Sequence, residues 1–342
     1  MSSRAMSGFR VLSRIAALLA IIVVVVGAWV RLTQAGLGCP DWPGCYGQWH
    51  PAQVVDHASE AASLYQRDFN YQKALHEMVH RYIATSLGLL VVLMALWSVR
   101  NRRDPNQPRW LPWLILAVIG MQGALGAYTV TLKVMPIIVT LHLLGGLTTL
   151  SLLWWQSLHG DHAEPQVPER RLRPLALAVF VMLLIQLFLG GWTSTNYAAI
   201  ACPDFPTCQQ AWLPPADYAD GFKLFRGTGI DFEGGILPMV ARTAIQLVHR
   251  FGAFVLTILI LWLWLNTLRF ARRAALKRYA WALLLALGVQ VVIGVNFIWQ
   301  GYPLSLGTAH NAGAVLLLLA LLSYCRVLWP ARRFDARIHI NG

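Results

Sequence analysis

Eight apolar runs, each about 20 residues long, alternate along the chain with polar and basic segments. Helices of this length cross the hydrocarbon core of a bilayer, where every backbone N–H and C=O must be hydrogen-bonded within the protein. The pattern therefore predicts an all-α polytopic membrane protein with eight transmembrane helices. The predicted spans are residues 11–30, 79–99, 110–130, 137–157, 175–194, 244–266, 279–299 and 307–326.

The charges support this prediction and also predict how the protein is oriented in the membrane. Only 13% of the residues are charged, against about 25% in soluble domains. The net charge is +13, and 19 of the 28 Lys and Arg residues lie in five segments, at 4–14, 100–109, 170–173, 269–278 and 326–337. Cytoplasmic loops are rich in Lys and Arg. Both termini are therefore expected in the cytoplasm and the two long loops outside, and the basic balance is a topology signal rather than a sign of nucleic-acid binding.

The second half of the chain repeats the first. Residues 27–45 read G-A-W-V-R-L-T-Q-A-G-L-G-C-P-D-W-P-G-C, and residues 190–208 read G-G-W-T-S-T-N-Y-A-A-I-A-C-P-D-F-P-T-C. At offsets of 163 to 169 residues the landmarks correspond: Cys39 and Cys45 with Cys202 and Cys208, His80 with His249, Gln122 and Gly126 with Gln290 and Gly294, and His142 with His310. Four spans per copy is an even number, so both copies enter the membrane in the same sense. We expect two tandem four-helix bundles, residues 1–160 and 161–342, related by a pseudo-twofold axis along the membrane normal.

The odd-numbered spans share a weaker signature. Each carries a glycine near its outer end, at Gly27, Gly126, Gly190 and Gly294. Small residues let neighbouring helices approach closely. Ordinary helix packing is a sufficient interpretation of these glycines from the sequence.

Four histidines lie near the predicted outer ends of the even-numbered spans, at His80, His142, His249 and His310. A single histidine there would be explained equally well by a polar contact between helices. Four at matching depth, two in each bundle, are typical of paired axial ligands of heme iron. The chain has no C-x-x-C-H sequence, so thioether bonds to the porphyrin are not expected. Arg81 and Arg250, which follow two of the histidines, are candidate partners of heme propionates or anchors at the membrane interface.

Residues 76–80 read H-E-M-V-H and match the zinc-protease pattern, with His76 and His80 as metal ligands and Glu77 as base. The repeat argues against that interpretation, because only V-H-R recurs and Gln246 stands where the first copy has Glu77. Glu77 lies one helical turn before His80, on the same face. An ionisable side chain beside one histidine pair predicts a reaction site in the first bundle and an electron-holding site in the second. His76 receives no role.

Two cysteine pairs, Cys39–Cys45 and Cys202–Cys208, lie in C-P-D-[WF]-P-x-C sequences of the long loops. On the oxidising side of a membrane such pairs form disulfides. Bracing of the loop is one role for each pair, and a redox role for Cys39–Cys45 is the alternative. Cys325, isolated in the last span, is expected to serve packing.

Taken together, these features resemble the bacterial heme A synthases. The resemblance covers essentially the whole chain and includes both cysteine pairs, which fits the two-disulfide type of that family. It implies an oxidoreductase that converts a methyl group of heme O into the formyl group of heme A for cytochrome oxidase biogenesis. By position, His80 and His142 would hold the substrate heme, His249 and His310 would hold a heme b cofactor, and Glu77 would serve catalysis.

The resemblance also implies the bacterial inner membrane and a handover partner, the synthase that makes heme O. The electron acceptor, the source of the oxygen atom and a homo-oligomeric state are left open. Two axial histidines fill the iron, so either one ligand leaves or electrons are removed through the macrocycle. In the second case Glu77 would stabilise a developing cation or accept a proton.

Four other functions compete. A di-heme electron carrier would share the histidines, but it would not need the difference between Glu77 and Gln246. A membrane zinc protease would use His76, Glu77 and His80, but no third ligand is evident. A quinone-linked disulfide oxidase would use the cysteine pairs and would tolerate loss of the histidines. A transporter would fit the repeat, but no span is broken at mid-membrane.

Overall fold

Eight long helices form the frame of the protein in a computed structural model that describes residues 2–104, 107–158 and 167–329. They are α1 (Ser2–Leu32), α2 (Tyr71–Arg100), α3 (Leu111–Thr131), α4 (Pro136–Ser157), α5 (Arg173–Thr195), α6 (Met239–Phe270), α7 (Ala274–Trp299) and α8 (Leu304–Leu328). Each is long and apolar enough to cross a membrane, and no β-strand occurs in the described ranges. The predicted all-α, eight-span, multi-pass architecture is confirmed. Two parts of the predictions lie outside the described residues: residues 159–166 of the linking loop 158–174, and the basic residues after Trp329.

Four of the helices begin five or more residues earlier than predicted: α1 by nine residues, α2 by eight, and α6 and α7 by five each. The Asn70 side chain caps α2 by accepting a hydrogen bond from the Lys73 backbone N–H at 3.0 Å. The helix therefore starts in polar sequence, and a prediction based on the apolar run alone places its start too late. As a result, His80 and His249 lie almost three turns inside their helices rather than at the ends.

The helices pack as two groups of four. In the first group, α1 and α3 each contact both α2 and α4, which places α2 and α4 at opposite corners. In the second group, α5 and α7 each contact both α6 and α8 in the same way. Ligand sites of helix bundles form between facing helices. Each candidate histidine pair is carried by one of these diagonal helix pairs.

The two groups share one continuous apolar core. Helices α1 and α4 face α5 and α8, and α8 is the most buried of the eight. Polar contacts cross the same boundary, because Thr140 Oγ1 lies 3.3 Å from Thr195 Oγ1 and Trp154 Nε1 donates to Ser323 Oγ at 3.0 Å. The division into residues 1–160 and 161–342 and the twofold axis stay predictions.

The two long loops, 33–70 and 196–238, lie at the same end of the helices, which we call the long-loop end. They are joined by ion pairs. Arg67 Nη1 lies 3.4 Å from Asp231 Oδ2, and Lys73 Nζ at the start of α2 lies 3.4 Å from Glu233 Oε1. The second loop thus covers part of the first group of helices. The side of the membrane that this end faces stays a prediction.

Candidate functional site

Each of the four candidate histidines packs its ring against a glycine on a neighbouring helix of its own group. The pairs are His80 with Gly27, His142 with Gly126, His249 with Gly190, and His310 with Gly294. A Cβ atom at these glycines would lie 2.9, 3.4, 3.5 and 2.9 Å, respectively, from the imidazole Cε1. The glycine signature of the odd-numbered spans therefore makes room for the imidazole rings, a purpose that the sequence alone did not reveal.

The two histidines of each group face each other across the diagonal. His80 and His142 lie on α2 and α4, and His249 and His310 lie on α6 and α8. The Nδ1 atoms of three rings, those of His80, His142 and His310, are buried and have no hydrogen-bond partner in the described part of the chain. Uncommitted ring nitrogens on facing helices fit residues that hold the iron of a heme between them.

Glutamine side chains reach the rings of the second group. Gln186 Nε2 lies 3.1 Å from His249 Nδ1 and donates to the His249 carbonyl oxygen at 3.0 Å. Gln290 Nε2 lies 3.2 Å from His310 Nε2. In the sequence Gln290 is marked only as a landmark of the repeat, and Gln186 is not marked at all. Both glutamines could have been recognised as polar side chains inside apolar spans. Burying such a side chain in a membrane is costly unless it has a polar partner.

Glu77 lies one turn from His80 with only 5% of its surface exposed. Its Oε2 accepts a hydrogen bond from the Cys39 backbone N–H at 2.9 Å, and its Oε1 forms an ion pair with Arg81. Arg81 Nη1 also donates to three carbonyl oxygens of the disulfide loop 39–45, those of Asp41 at 3.0 Å, Pro43 at 3.1 Å and Gly44. Glu77 and Arg81 together fasten this loop to α2 beside the histidine pair.

Arg250 fastens the corresponding loop of the second group. It donates to the carbonyl oxygens of Thr207 at 2.7 Å, Asp204 at 2.9 Å and Cys202 at 3.0 Å. Gln246, the counterpart of Glu77, is buried, and its Oε1 has no partner among the described residues. The loop of the second group is therefore attached without a carboxylate.

The guanidinium groups of Arg81 and Arg250 thus bind loop carbonyls in this structure, and their contact with heme propionates stays a prediction. The attachment of the two disulfide loops to α2 and α6 is a long-range contact that no local sequence pattern predicts. It was open to inference, because the repeat conserves both the C-P-D sequence and the arginine after the histidine.

Both predicted cysteine pairs are disulfides. The Cα atoms are 4.6 Å apart in Cys39–Cys45 and 4.5 Å apart in Cys202–Cys208. All four cysteines are fully or almost fully buried. Cys325 is a buried free thiol within the apolar core, where a packing role was expected.

An aspartate closes each disulfide loop. Asp41 Oδ1 accepts a hydrogen bond from the Tyr46 backbone N–H at 2.6 Å, and Asp204 Oδ1 accepts one from the Gln209 backbone N–H at 2.6 Å. The second loop adds a hydroxyl, because Thr207 Oγ1 donates to Asp204 Oδ2 at 2.5 Å. This hydroxyl, followed by the backbone N–H groups, lowers the pKa of Asp204 below its ordinary value.

The H-E-x-x-H residues do not gather as a metal site. His76 packs edge-on against Trp29, with ring centroids 6.2 Å apart, and His80 lies against Gly27. Glu77 is bound to Arg81 and to the loop. Among the residues that the structure describes, no group of three or more His, Cys, Asp and Glu side chains could hold a metal ion.

The fold and the histidines define a class, an eight-span membrane protein with two histidine pairs on diagonal helices. The chain belongs to the COX15-CtaA family of cytochrome oxidase assembly proteins, whose family model matches residues 10–322. The expected family is thereby confirmed.

Three relatives show how far the similarity extends. The chain is 40% identical to a heme A synthase of Shewanella oneidensis, over 96% of this chain and 98% of that protein. It is 28% identical to a heme A synthase of Rhizorhabdus wittichii, over 90% of each protein. It is also 28% identical to a heme A synthase of Shouchella clausii, over 94% of this chain and 97% of that protein. The similarity therefore includes both helix groups and both long loops.

Proposed function

We propose that this chain is a heme A synthase, an oxidoreductase that converts a methyl group of heme O into the formyl group of heme A. One observation carries the proposal. Each helix group has a histidine pair on diagonal helices, but Glu77 accompanies the first pair where Gln246 accompanies the second. Similarity to heme A synthases along nearly the whole chain supports it.

The first group is the proposed substrate site, with His80 and His142 as ligands of the substrate heme. When bound, the heme supplies the redox-active ring whose methyl group is oxidised. The chain contributes position, because Gly27 and Gly126 leave room for imidazoles at fixed places on two helices. A reacting group held in one orientation loses less entropy on the way to the transition state.

Glu77 is the proposed catalytic residue, acting as a fixed carboxylate beside His80. Both of its oxygens are engaged, one by the Cys39 N–H and one by Arg81, so the side chain is held in one place. A carboxylate held there stabilises positive charge that develops nearby or accepts a proton from water. The carboxamide of Gln246 cannot take up a proton in this way.

The second group is the proposed electron-holding site, with His249 and His310 as ligands of heme b. Its imidazoles contact Gln186 and Gln290 instead of an acidic residue. Electrons withdrawn in the first group would pass through this site to an acceptor that is not identified by the chain's own residues.

We place the protein in the bacterial inner membrane, with both termini in the cytoplasm and the long-loop end outside. The basic segments between spans support this orientation, as do disulfides at the long-loop end. The proposed handover partner is the enzyme that makes heme O, since the substrate is lipid-soluble.

The test is to extract the hemes from detergent-purified protein and to identify them by reduced-pyridine spectrum and mass. Heme b together with heme O, or with oxidised derivatives up to heme A, is the expected result. If the protein contains heme b alone and does not convert added heme O, it is a di-heme electron carrier and the proposal is wrong. Tightly bound zinc and no heme would point instead to the H-E-x-x-H residues.

A further inference from the structure

Three of the four candidate ligands belong to a local arrangement of histidine, glycine and glutamine. The third residue after each of these histidines is a glycine, and the space in front of that glycine is filled by a glutamine from a neighbouring helix. The three sets are His142, Gly145 and Gln122; His249, Gly252 and Gln186; and His310, Gly313 and Gln290. A side chain at any of these glycines would collide with the carboxamide.

The fourth ligand, His80, lacks the whole arrangement. The third residue after it is Ile83, so no space is open for a carboxamide. At the offset of 163 residues that relates Gly27 to Gly190, the residue corresponding to Gln186 is Val23, in the apolar core. The first group thus differs at two positions, Val23 on α1 in place of the glutamine and Ile83 on α2 in place of the glycine, and not by the loss of a single side chain.

The contacts divide the two groups further. Gln186 and Gln290 lie within hydrogen-bond distance of the rings of His249 and His310. Gln122 Nε2 is buried without a partner in the described ranges, so this carboxamide does not reach His142. Among the described residues, both rings of the second group thus have an amide contact, and neither ring of the first group does.

An amide contact matters for an imidazole that binds iron. The coordinating nitrogen carries no proton, so the other ring nitrogen does, and a hydrogen bond from that N–H fixes the ring and raises its basicity. In this structure the amide Nε2 of each glutamine lies beside the ring, Gln186 against His249 Nδ1 and Gln290 against His310 Nε2. The Oε1 atoms of both side chains are buried and unpartnered among the described residues, and a turn of the carboxamide about its last bond brings Oε1 to the ring as the acceptor for its N–H. A ring without such a partner is held by iron and packing alone.

We propose that Gln186 and Gln290 are positioning residues that make His249 and His310 permanent ligands, and that the first group omits these contacts so that His80 can leave the iron. This inference rests on the proposed heme ligation. With two histidines on the iron, either one ligand leaves or electrons are removed through the macrocycle. The inference selects the first route, because Glu77 lies in the group whose ligand is free to exchange.

The experiment makes two measurements on the as-purified protein. The first is the fraction of its heme that binds carbon monoxide after reduction, and the second is the midpoint potential of that heme. Gln186→Leu and Gln290→Leu are expected to raise the CO-binding fraction of the second-group heme about tenfold, in line with losses seen when outer partners of metal ligands are removed. Gln122→Leu is the matched control and should leave both readings unchanged, because its amide touches no ring.

A conservative variant separates positioning from simple packing. Gln186→Glu keeps the shape and offers a stronger acceptor, so it should lower the midpoint potential and keep CO out, whereas Gln186→Leu should raise that potential. The inference would be overturned if Gln186→Glu and Gln186→Leu shifted the midpoint potential in the same direction. It would also be overturned if Gln186→Leu and Gln290→Leu had the same CO-binding fraction and potential as Gln122→Leu. A wild-type protein without heme, or a His249→Ala variant with unchanged heme, would instead overturn the proposed function.

A gain-of-contact variant tests the first group. Val23→Gln combined with Ile83→Gly supplies both the carboxamide and its space beside His80. In protein loaded with heme O, this variant should lose CO binding to the substrate heme, while Val23→Leu with Ile83→Val keeps it. CO binding that persists in the first variant at the wild-type level would count against an exchangeable His80.

Discussion

The two helix groups both hold their disulfide loops through an arginine that follows a candidate histidine, and they differ in the side chains around that contact. Arg81 and Arg250 each bind several loop carbonyls, and only the first group adds Glu77, which joins Arg81 to the Cys39 N–H. The second group has Gln246 in that place and holds its loop with other side chains: Tyr302 Oη donates to the Cys202 carbonyl oxygen at 2.8 Å, and Gln209 Nε2 donates to Thr243 Oγ1 of α6 at 3.0 Å. A carboxylate is therefore one of two ways to attach such a loop, and its place beside the first histidine pair is the feature that the proposed chemistry requires.

Removing one ligand of the second histidine pair is expected to have the largest effect on this comparison. His249→Ala should remove heme b and abolish heme A formation, because the electron path then ends in the first group. Heme content by pyridine spectrum and product by mass measure the two effects. His57→Ala, at an exposed loop position, is the control, and undiminished product from His249→Ala would refute the relay.

Exchanging the carboxylate tests the comparison directly. Glu77→Gln copies the second group and should lower heme A formation by about 100-fold or more while the protein keeps its hemes. Adding Gln246→Glu, one turn from Arg250, should not restore product, because the charge would stand beside the wrong histidine pair. Heme content and product are measured together, and normal conversion by Glu77→Gln would exclude a catalytic role.

The arginines allow the two loops to be loosened one at a time. Arg81→Lys and Arg250→Lys replace a planar fork by a single ammonium group, which cannot reach the same carbonyls. Each lost charge-assisted hydrogen bond is worth about 1.5–3 kcal/mol, so the disulfide of the altered loop should be reduced at least about tenfold faster. Alkylation after mild reduction, mapped by mass, should show Cys39–Cys45 in the first variant and Cys202–Cys208 in the second. Equal reactivity of both pairs in both variants would contradict separate attachment.

The smallest expected effect is an acid response of the second loop alone. Asp204 has a lowered pKa in the folded loop, chiefly through Thr207, so its contribution is present above the unfolded value of about 4 and disappears as pH falls through the folded pKa. Thr207→Val should weaken this contribution. Amide exchange at Gln209 between about pH 6 and pH 3 measures it, with Thr129→Val as a control for loss of a distant hydroxyl. Identical exchange profiles with and without the Thr207 hydroxyl would remove it as the cause.

The helices followed from sequence because a bilayer imposes one simple requirement on about 20 residues at a time. The start of α2 did not, since Asn70 and the turn after it are polar and the helical state of that turn depends on capping. Helix α6 begins directly after Pro238 without a side-chain cap, ahead of the apolar run that predicted it. The candidate ligands were found because the repeat displays each one twice.

The contacts around those ligands were harder to predict. Glu77 meets Cys39 across 38 residues of sequence, and no local pattern encodes such a pairing. Gln186 was missed because the first copy has Val23 in its place, so comparison of the two copies hid the residue instead of marking it. A repeat reveals what the two copies share, and their differences acquire meaning only once neighbours in space are known.

The glycines beside the four imidazoles have a consequence for how the protein matures. Each imidazole lies against the backbone of α1, α3, α5 or α7, so the position of the ring is set by the packing of two helices. The candidate ligands are therefore placed when the helices assemble in the bilayer, before any heme is delivered. Assembly of the helices and supply of heme are then separate steps, and the second sets the pace of activation.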